Sequence, residues 1–221
     1  MKIRTGYVSN SSSSSFLILY KDIKDFDQLK AVRGYETFVE DLQDPDSKEL
    51  CVSEIERLIS AAIYEVEDNC PVFKDYYPFS EYDTIEDLMK IAEVPVEKLD
   101  KLLGKYRECT KAFVTKLAEQ GLLDPVRRAK SAFALEPDDY KKYHELKAEF
   151  SKSFQELRWK DRKTKRLADE IYNKLQEKGF EVHRLEYGDH TEDGWYMEKG
   201  FMPFAAKNPD CQYVIITTNN H

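Results

Sequence analysis

The amino-acid sequence predicts an α+β protein in which strands from the two chain ends form a small sheet and a large, mainly helical segment is inserted between them. Three β-prone, apolar runs support the sheet, and they lie at 16–20, 180–187 and 211–218. Residues 21–178 instead carry apolar side chains at helical spacing, interrupted by prolines and glycines. We therefore expect one domain over residues 1–221, with sheet-forming termini at 1–20 and 179–221 around a helical body at 21–178.

The helical body divides at its prolines and glycines into a series of predicted helices. Asp46 and Glu49 have capping-box spacing at the start of the first clear helix, which Pro71 ends. Further predicted helices lie at 84–94, 95–121 and 124–135. The segment 138–178 has almost no helix-breaking residue, so it predicts one long helix or two helices with a kink.

Composition excludes some classes of protein. With 221 residues, of which 41% are hydrophobic, the chain is long enough to bury a sizeable core. A formal net charge of -8 argues against broad, nonspecific binding to DNA or to anionic membranes, because both need a cationic surface. The apolar run 16–20 is too short for a membrane span or a signal-peptide core. We therefore expect a cytoplasmic protein, in a bacterium or an infected host cell, that binds no membrane.

Cysteines and histidines form no recognisable metal-binding or nucleophilic motif. The chain has four widely spaced cysteines, Cys51, Cys70, Cys109 and Cys211. They include no Cys-x-x-Cys pair, which favours buried free thiols over a zinc site or a disulfide framework. The stretch from His183 to His190 gathers imidazoles and carboxylates, but at no known ligand spacing. We therefore predict no metal ion and no cofactor, and we favour a protein without enzymatic activity while leaving that question open.

An aromatic loop, broken by proline, precedes the second predicted helix. Its candidate partner-binding residues are Tyr76, Tyr77, Phe79 and Tyr82. Tyrosine offers a large contact area with a polar tip, so this loop is one candidate surface for a protein partner. Packing over the helices is the alternative interpretation.

A basic segment at 158–166 is the clearest local charge feature of this acidic chain, with six basic residues and one acid. Its candidate partner-binding residues are Arg158, Trp159, Lys160 and Arg162. Such a segment can contact nucleic acid, through phosphates and through a base stacked on Trp159, or it can bind an acidic protein. It can equally be a solvated helix face that pairs with neighbouring acids.

A serine-rich turn near the N-terminus is a candidate phosphate site. Its candidate ligands are Arg4, Gly6, Ser9, Asn10, Ser11, Ser12 and Ser13. Small residues let backbone amides approach phosphate oxygens, and Arg4 adds a positive charge. The alternative is a flexible polar spacer, which is typical of serine runs.

The opening of the chain resembles a known group of proteins. Arg4, Gly6, the run Tyr7-Val8-Ser9-Asn10, the five serines at 11–15 and Phe16 are similar to the N-terminal signature of uncharacterised proteins from bacteriophages and bacteria. The resemblance covers residues 4–16. It implies a phage or bacterial setting, and it implies no activity.

Together these features predict an accessory protein without catalytic function that binds another macromolecule, in the first place a protein, through its helical body. The first alternative is a phosphate- or nucleotide-binding protein, or an enzyme, that uses the serine-rich turn. The second alternative is contact with nucleic acid through residues 158–166. The sequence leaves the oligomeric state open.

Overall fold

The computed structural model of the chain describes residues 13–21, 47–68, 70, 81–129, 135–160, 163–188 and 212–219. Strands β1, β2 and β3 span Ser13–Lys21, Glu181–Gly188 and Gln212–Asn219. Helices α1 to α6 span Ser47–Asp68, Glu81–Ala92, Glu97–Glu119, Leu123–Arg128, Pro137–Lys160 and Lys163–Glu177. The helices form the body of the protein, and β2 is a strand that contacts this body, through α1 and α6.

Helix α1 lies at the centre of the helical body, in contact with α2, α3, α6 and β2. Its apolar residues recur every three or four positions, which places them on one face of the helix. That face is buried, and its central residues are Ile55, Leu58, Ile59, Ala62 and Ile63. Helices α2, α3 and α6 cover this face, since an apolar stripe of this width is stable only when other elements bury it.

The segment predicted as one long helix, or two with a kink, forms two helices, α5 and α6. The apolar stripe of α5 contacts α3, where Phe150 stacks on Phe113 with ring centroids 4.7 Å apart and Phe154 lies 5.0 Å from Tyr106. The stripe of α6 instead contacts α1 and α2. The two stripes are buried against different neighbours, so one straight helix does not satisfy both.

Three helices end in the same type of turn, in which the residue after the C-cap adopts a left-handed conformation. Gly121 after α3 has φ 70° and Gly179 after α6 has φ 78°. The residue that follows each glycine donates its backbone amide to a carbonyl five positions earlier, at 2.8 Å and 3.0 Å. Helix α2 forms this turn with Glu93, at φ 56°, although a side chain disfavours that conformation. Lys178 forms an ion pair with Glu93 and so joins the ends of α2 and α6.

Backbone hydrogen bonds join the strands in the order β2-β1-β3, with β1 antiparallel to both neighbours. Leu17 and Leu19 of β1 are fully buried, and their alternation places both on one face of the strand. Leu19 pairs with Val182 of β2, which is also buried. Helix α1 packs on this strand, where the Cys51 thiol donates a hydrogen bond to the Val182 carbonyl at 3.4 Å.

The predicted α+β fold class is wrong, because the described part of the chain is a mostly helical fold. The five longer helices have 12 to 24 residues, whereas the strands have 8 or 9. Among the described core residues, those on strands are Leu17, Leu19 and Val182, and nearly all others lie on helices. A fold class follows from the layers that build the core. β-propensity at the chain ends indicates strands, but it does not indicate what share of the described core the helices supply.

Candidate functional site

A polar cleft of about 330 Å³ opens where α1, α3, α5 and the start of α6 meet. It is lined by Glu56, Ser60, Ile63, Tyr106, Arg158 and Thr164. Helix α1 supplies three of these residues at positions i, i+4 and i+7, which lie on one side of a helix. The cleft therefore lies beside the face of α1 that carries Glu56 and Ser60, where this face meets the junction of α5 and α6.

The floor of the cleft is formed by side chains of the hydrophobic core. Ile63 and Tyr106 are each only 1% exposed, because both also belong to the hydrophobic core. Tyr106 packs against Phe154 of α5, at 5.0 Å between ring centroids and a tilt of 58°. Such tilted aromatic pairs contribute about 0.5 to 1.5 kcal/mol beyond the area they bury. The polar residues at the mouth therefore lie above side chains that are packed in the core.

The carboxylate of Glu56 is held by a residue on another helix. The hydroxyl of Thr164, in the first turn of α6, donates a hydrogen bond to Oε1 of Glu56 at 2.9 Å. A carboxylate has about four acceptor positions, so most of its capacity remains after this bond. Glu56 thus places a negative charge at the mouth of the cleft with a defined orientation.

Arg158 supplies the positive charge of the cleft, and Tyr64 holds its side chain in place. Its guanidinium carbon lies 4.3 Å from the centroid of the Tyr64 ring, and its Nη1 donates a hydrogen bond to the Tyr64 hydroxyl. Stacking on an aromatic face stabilises a guanidinium and limits its motion. Tyr64 itself is 43% exposed, which is unusual for so large an aromatic side chain. Within the described residues, neither Arg158 nor Glu56 forms an ion pair.

A second group of charges lies between α1 and β2, and its central carboxylate is closed to solvent. Glu54 is 3% exposed. Its Oε1 is bound by Arg57, at 3.0 Å from Nε and 2.9 Å from Nη2, and its Oε2 lies 3.3 Å from Nε of Arg184. Burial raises the pKa of the neighbouring Cys51 thiol to about 12. Both carboxylate oxygens are occupied and the thiol stays protonated, so this group stabilises the fold and offers no nucleophile.

Of the residues predicted for the basic segment, the structure places Arg158 at the cleft. Trp159 and Lys160 belong to the last turn of α5, but their side chains are outside the described part of the chain, and so is Arg162. Tyr82 lies in the first turn of α2. Other predicted candidates fall outside the described residues, namely Tyr76, Tyr77, Phe79, Arg4, Gly6, Ser9, Asn10, Ser11 and Ser12, whereas Ser13 begins β1. These predictions remain untested.

Sequence reasoning missed four of the residues that form the cleft and its rim: Glu56, Ser60, Tyr64 and Thr164. Three of them share a signal that the apolar pattern hides, since positions 56, 60 and 64 are polar and spaced by four along α1. Thr164 lies inside the basic segment but carries no charge. Its contact with Glu56 spans 108 positions and depends on how the helices pack.

The described residues contain neither a metal-binding cluster nor a membrane-spanning helix. No group of three or more His, Cys, Asp or Glu residues there could hold a metal ion. His183 has Nε2 3.6 Å from Oε2 of Glu181, and burial lowers the pKa of this histidine while Glu181 opposes the shift. None of the helices in the described ranges combines the length and the apolar character that crossing a bilayer requires.

Comparisons with protein-family models, with curated proteins and with solved structures found no match to this chain. The N-terminal resemblance rests largely on residues outside the described part of the chain, so the setting that it implies stays a prediction. Function is therefore inferred from the side chains of this chain alone.

Proposed function

We propose that this chain is an accessory interaction protein that binds an acidic surface of another protein through the α5–α6 corner, a surface formed by Tyr64, Arg158, Lys165 and Arg166. The observation that carries the proposal is the stacking of Arg158 on the exposed ring of Tyr64, at 4.3 Å. Arginine and tyrosine dominate the binding energy of many protein interfaces. The phage or bacterial setting of this function follows from the N-terminal resemblance.

Preorganisation favours binding at this corner. An exposed arginine normally loses side-chain entropy when a partner immobilises it. Arg158 is already fixed by the ring and the hydroxyl of Tyr64, so less entropy is lost on binding. The remaining N–H groups of the guanidinium can donate paired hydrogen bonds to a carboxylate.

Local charge favours an acidic protein as the partner. Lys165 and Arg166 are exposed in the first turn of α6, and neither forms an ion pair with another described residue. Exposed cations of this kind steer an acidic partner toward its binding site. Nucleic acid carries a far denser negative charge than a protein surface, so the net charge of -8 disfavours nucleic acid more strongly than an acidic protein.

Native mass spectrometry of the protein purified from its own host tests this proposal. We expect a stoichiometric protein partner on the wild-type chain, and a loss of at least about 10-fold in bound partner for Arg158→Ala and Tyr64→Ala, since hot-spot truncations cost 2 kcal/mol or more. Arg127→Ala is the matched control, because Arg127 is an exposed arginine on α4, away from the corner. Equal partner retention by all variants, or an oligonucleotide in place of a protein, contradicts the proposal.

A further inference from the structure

We infer that the polar cleft between α1, α5 and α6 is a binding site for a small zwitterion, a molecule that carries an ammonium group and a carboxylate. The inference goes beyond the proposed protein interaction, because its ligand is a small molecule and its key contact, Glu56, is not part of the α5–α6 corner. Glu56 is assigned to the ammonium group and Arg158 to the carboxylate.

The cleft keeps two opposite charges apart. Glu56 and Arg158 line the same space, yet no ion pair joins them in the described part of the chain. Each is held by a different neighbour, since Thr164 donates to Glu56 and Arg158 donates to Tyr64. Neither interaction neutralises the charge it orients. Both charges are therefore available to one ligand that enters between them.

This arrangement selects against ligands with a single charge. A simple cation is attracted by Glu56 but repelled by Arg158, and the reverse holds for a simple anion. A zwitterion is attracted at both ends, and each end forms a charge-assisted hydrogen bond. Discrimination by a repulsive group as well as an attractive one is a general source of specificity.

The size and the walls of the cleft can accommodate a short amino acid. The volume of about 330 Å³ is at the lower end of the range for small-molecule sites. Ile63 and Tyr106 close the floor of the cleft, and the Ser60 hydroxyl can donate or accept one further hydrogen bond. An amino acid with a short aliphatic chain fits this description.

A series of unbranched amino acids tests the inference and measures the separation of the two charges. The probes are glycine, β-alanine, 4-aminobutyrate, 5-aminopentanoate and 6-aminohexanoate, with butylamine and butyrate as singly charged controls. Titration calorimetry on the full-length protein should show one member of the series binding at least about 10-fold more tightly than either control, as the loss of one charge-assisted hydrogen bond implies.

Variants locate the site. Glu56→Gln and Arg158→Gln should each weaken binding of that amino acid by at least about 10-fold, while Glu149→Gln makes the same chemical change on the exposed surface of α5 and should not. Glu56→Gln keeps an acceptor for Thr164, so it should fold normally. Ser60→Leu fills the cleft without removing a charge and should abolish binding. The inference is overturned if no member of the series binds, if butylamine or butyrate binds equally well, or if both charge variants still bind.

The two proposals can fail separately. Because Arg158 belongs to both surfaces, Glu56→Gln is the variant that separates the proposals, and loss of the amino acid with retention of the protein partner supports both. If the amino acid binds and no protein partner is found, the small-molecule site stands and the interaction function is rejected.

Discussion

Helix α1 carries two glutamates, Glu54 and Glu56, that face different environments, and the protein uses their charges in different ways. Residues two positions apart point to roughly opposite sides of a helix. Glu54 faces β2, and its two oxygens are occupied by Arg57 of α1 and Arg184 of β2. Glu56 faces the cleft, where Thr164 occupies one oxygen and the remaining acceptor positions are open.

The difference shows how burial determines the use of a charge. A buried carboxylate without full pairing is strongly destabilising, so the α1–β2 interface must surround Glu54 with cations. At the partly exposed cleft, water stabilises Glu56, and the fold tolerates a charge that is oriented without being neutralised. The first environment stabilises the fold, and the second is suited to binding a ligand.

The largest effect is expected from breaking the closed group of charges. Glu54→Ala leaves Arg57 and Arg184 without their buried partner, and we expect the free energy of unfolding to fall by about 2 to 3 kcal/mol. Urea unfolding followed by tryptophan fluorescence measures this change. Glu149→Ala, which removes an exposed ion pair with Lys116, is the control and should cost less than about 1 kcal/mol. Similar costs for the two variants are incompatible with the described difference in burial.

Thiol reactivity gives a second measure of how closed the α1–β2 interface is. Cys51 is fully buried with a raised pKa, whereas Cys109 is half-buried on α3. A thiol reagent reaches Cys51 only when the native structure opens, so we expect Cys51 to react at least about 10-fold more slowly than Cys109. Mass spectrometry of digested, labelled protein assigns the rates to each cysteine. Rapid labelling of Cys51 in native protein contradicts the closed interface.

A smaller effect is expected from pH, through His183 on β2. Burial lowers the pKa of His183 in the folded protein, so below the unfolded value of 6.5 the unfolded chain takes up the proton first. Stability should therefore fall as the pH decreases from about 7 through 6.5 toward the lowered folded pKa. Unfolding free energies of wild type and His183→Gln, measured from pH 7.5 to 5, isolate this contribution. Parallel pH profiles for the two proteins rule it out.

The smallest effect is expected at the open glutamate. Glu56→Gln should change the free energy of unfolding by less than about 0.5 kcal/mol, because the amide oxygen still accepts from Thr164 and the carboxylate forms no ion pair with a described residue. Chemical denaturation, run beside Glu54→Ala, checks this value. If Glu56→Gln lowers the free energy of unfolding about as much as Glu54→Ala, then Glu56 stabilises the fold, and the proposed difference between the two glutamates is wrong.

The helices could be predicted from local patterns because each pattern reports a local cause. The buried face of α1, including Ile55 and Ile59, follows from the apolar spacing, and Gly121 and Gly179 mark the ends of α3 and α6. The relative weight of helix and strand in the core could not be predicted in the same way. It depends on which helices and strands pack against each other, and the sequence pattern of a strand does not predict this packing.

The cleft was predictable only at Arg158, which belongs to a conspicuous basic segment. Its partners are far away in sequence, since Tyr64 is 94 positions from Arg158 and Glu56 is 108 positions from Thr164. Polar residues on a helix face indicate contact with solvent, and they do not indicate which other element comes near. The site arises because α5 and α6 pack against different neighbours, α3 for the first and α1 and α2 for the second.

The left-handed turn at Glu93 has a consequence for engineering this protein. A side chain in that conformation costs roughly 1 kcal/mol, which glycine avoids, while an exposed ion pair such as the one with Lys178 returns at most about the same amount. Glu93→Gly is therefore a candidate substitution for raising the thermal stability at a position far from the cleft. Glu93→Gly removes an ion pair that salt weakens, and it relieves a backbone strain that salt does not affect. The gain in stability from this substitution therefore grows with ionic strength.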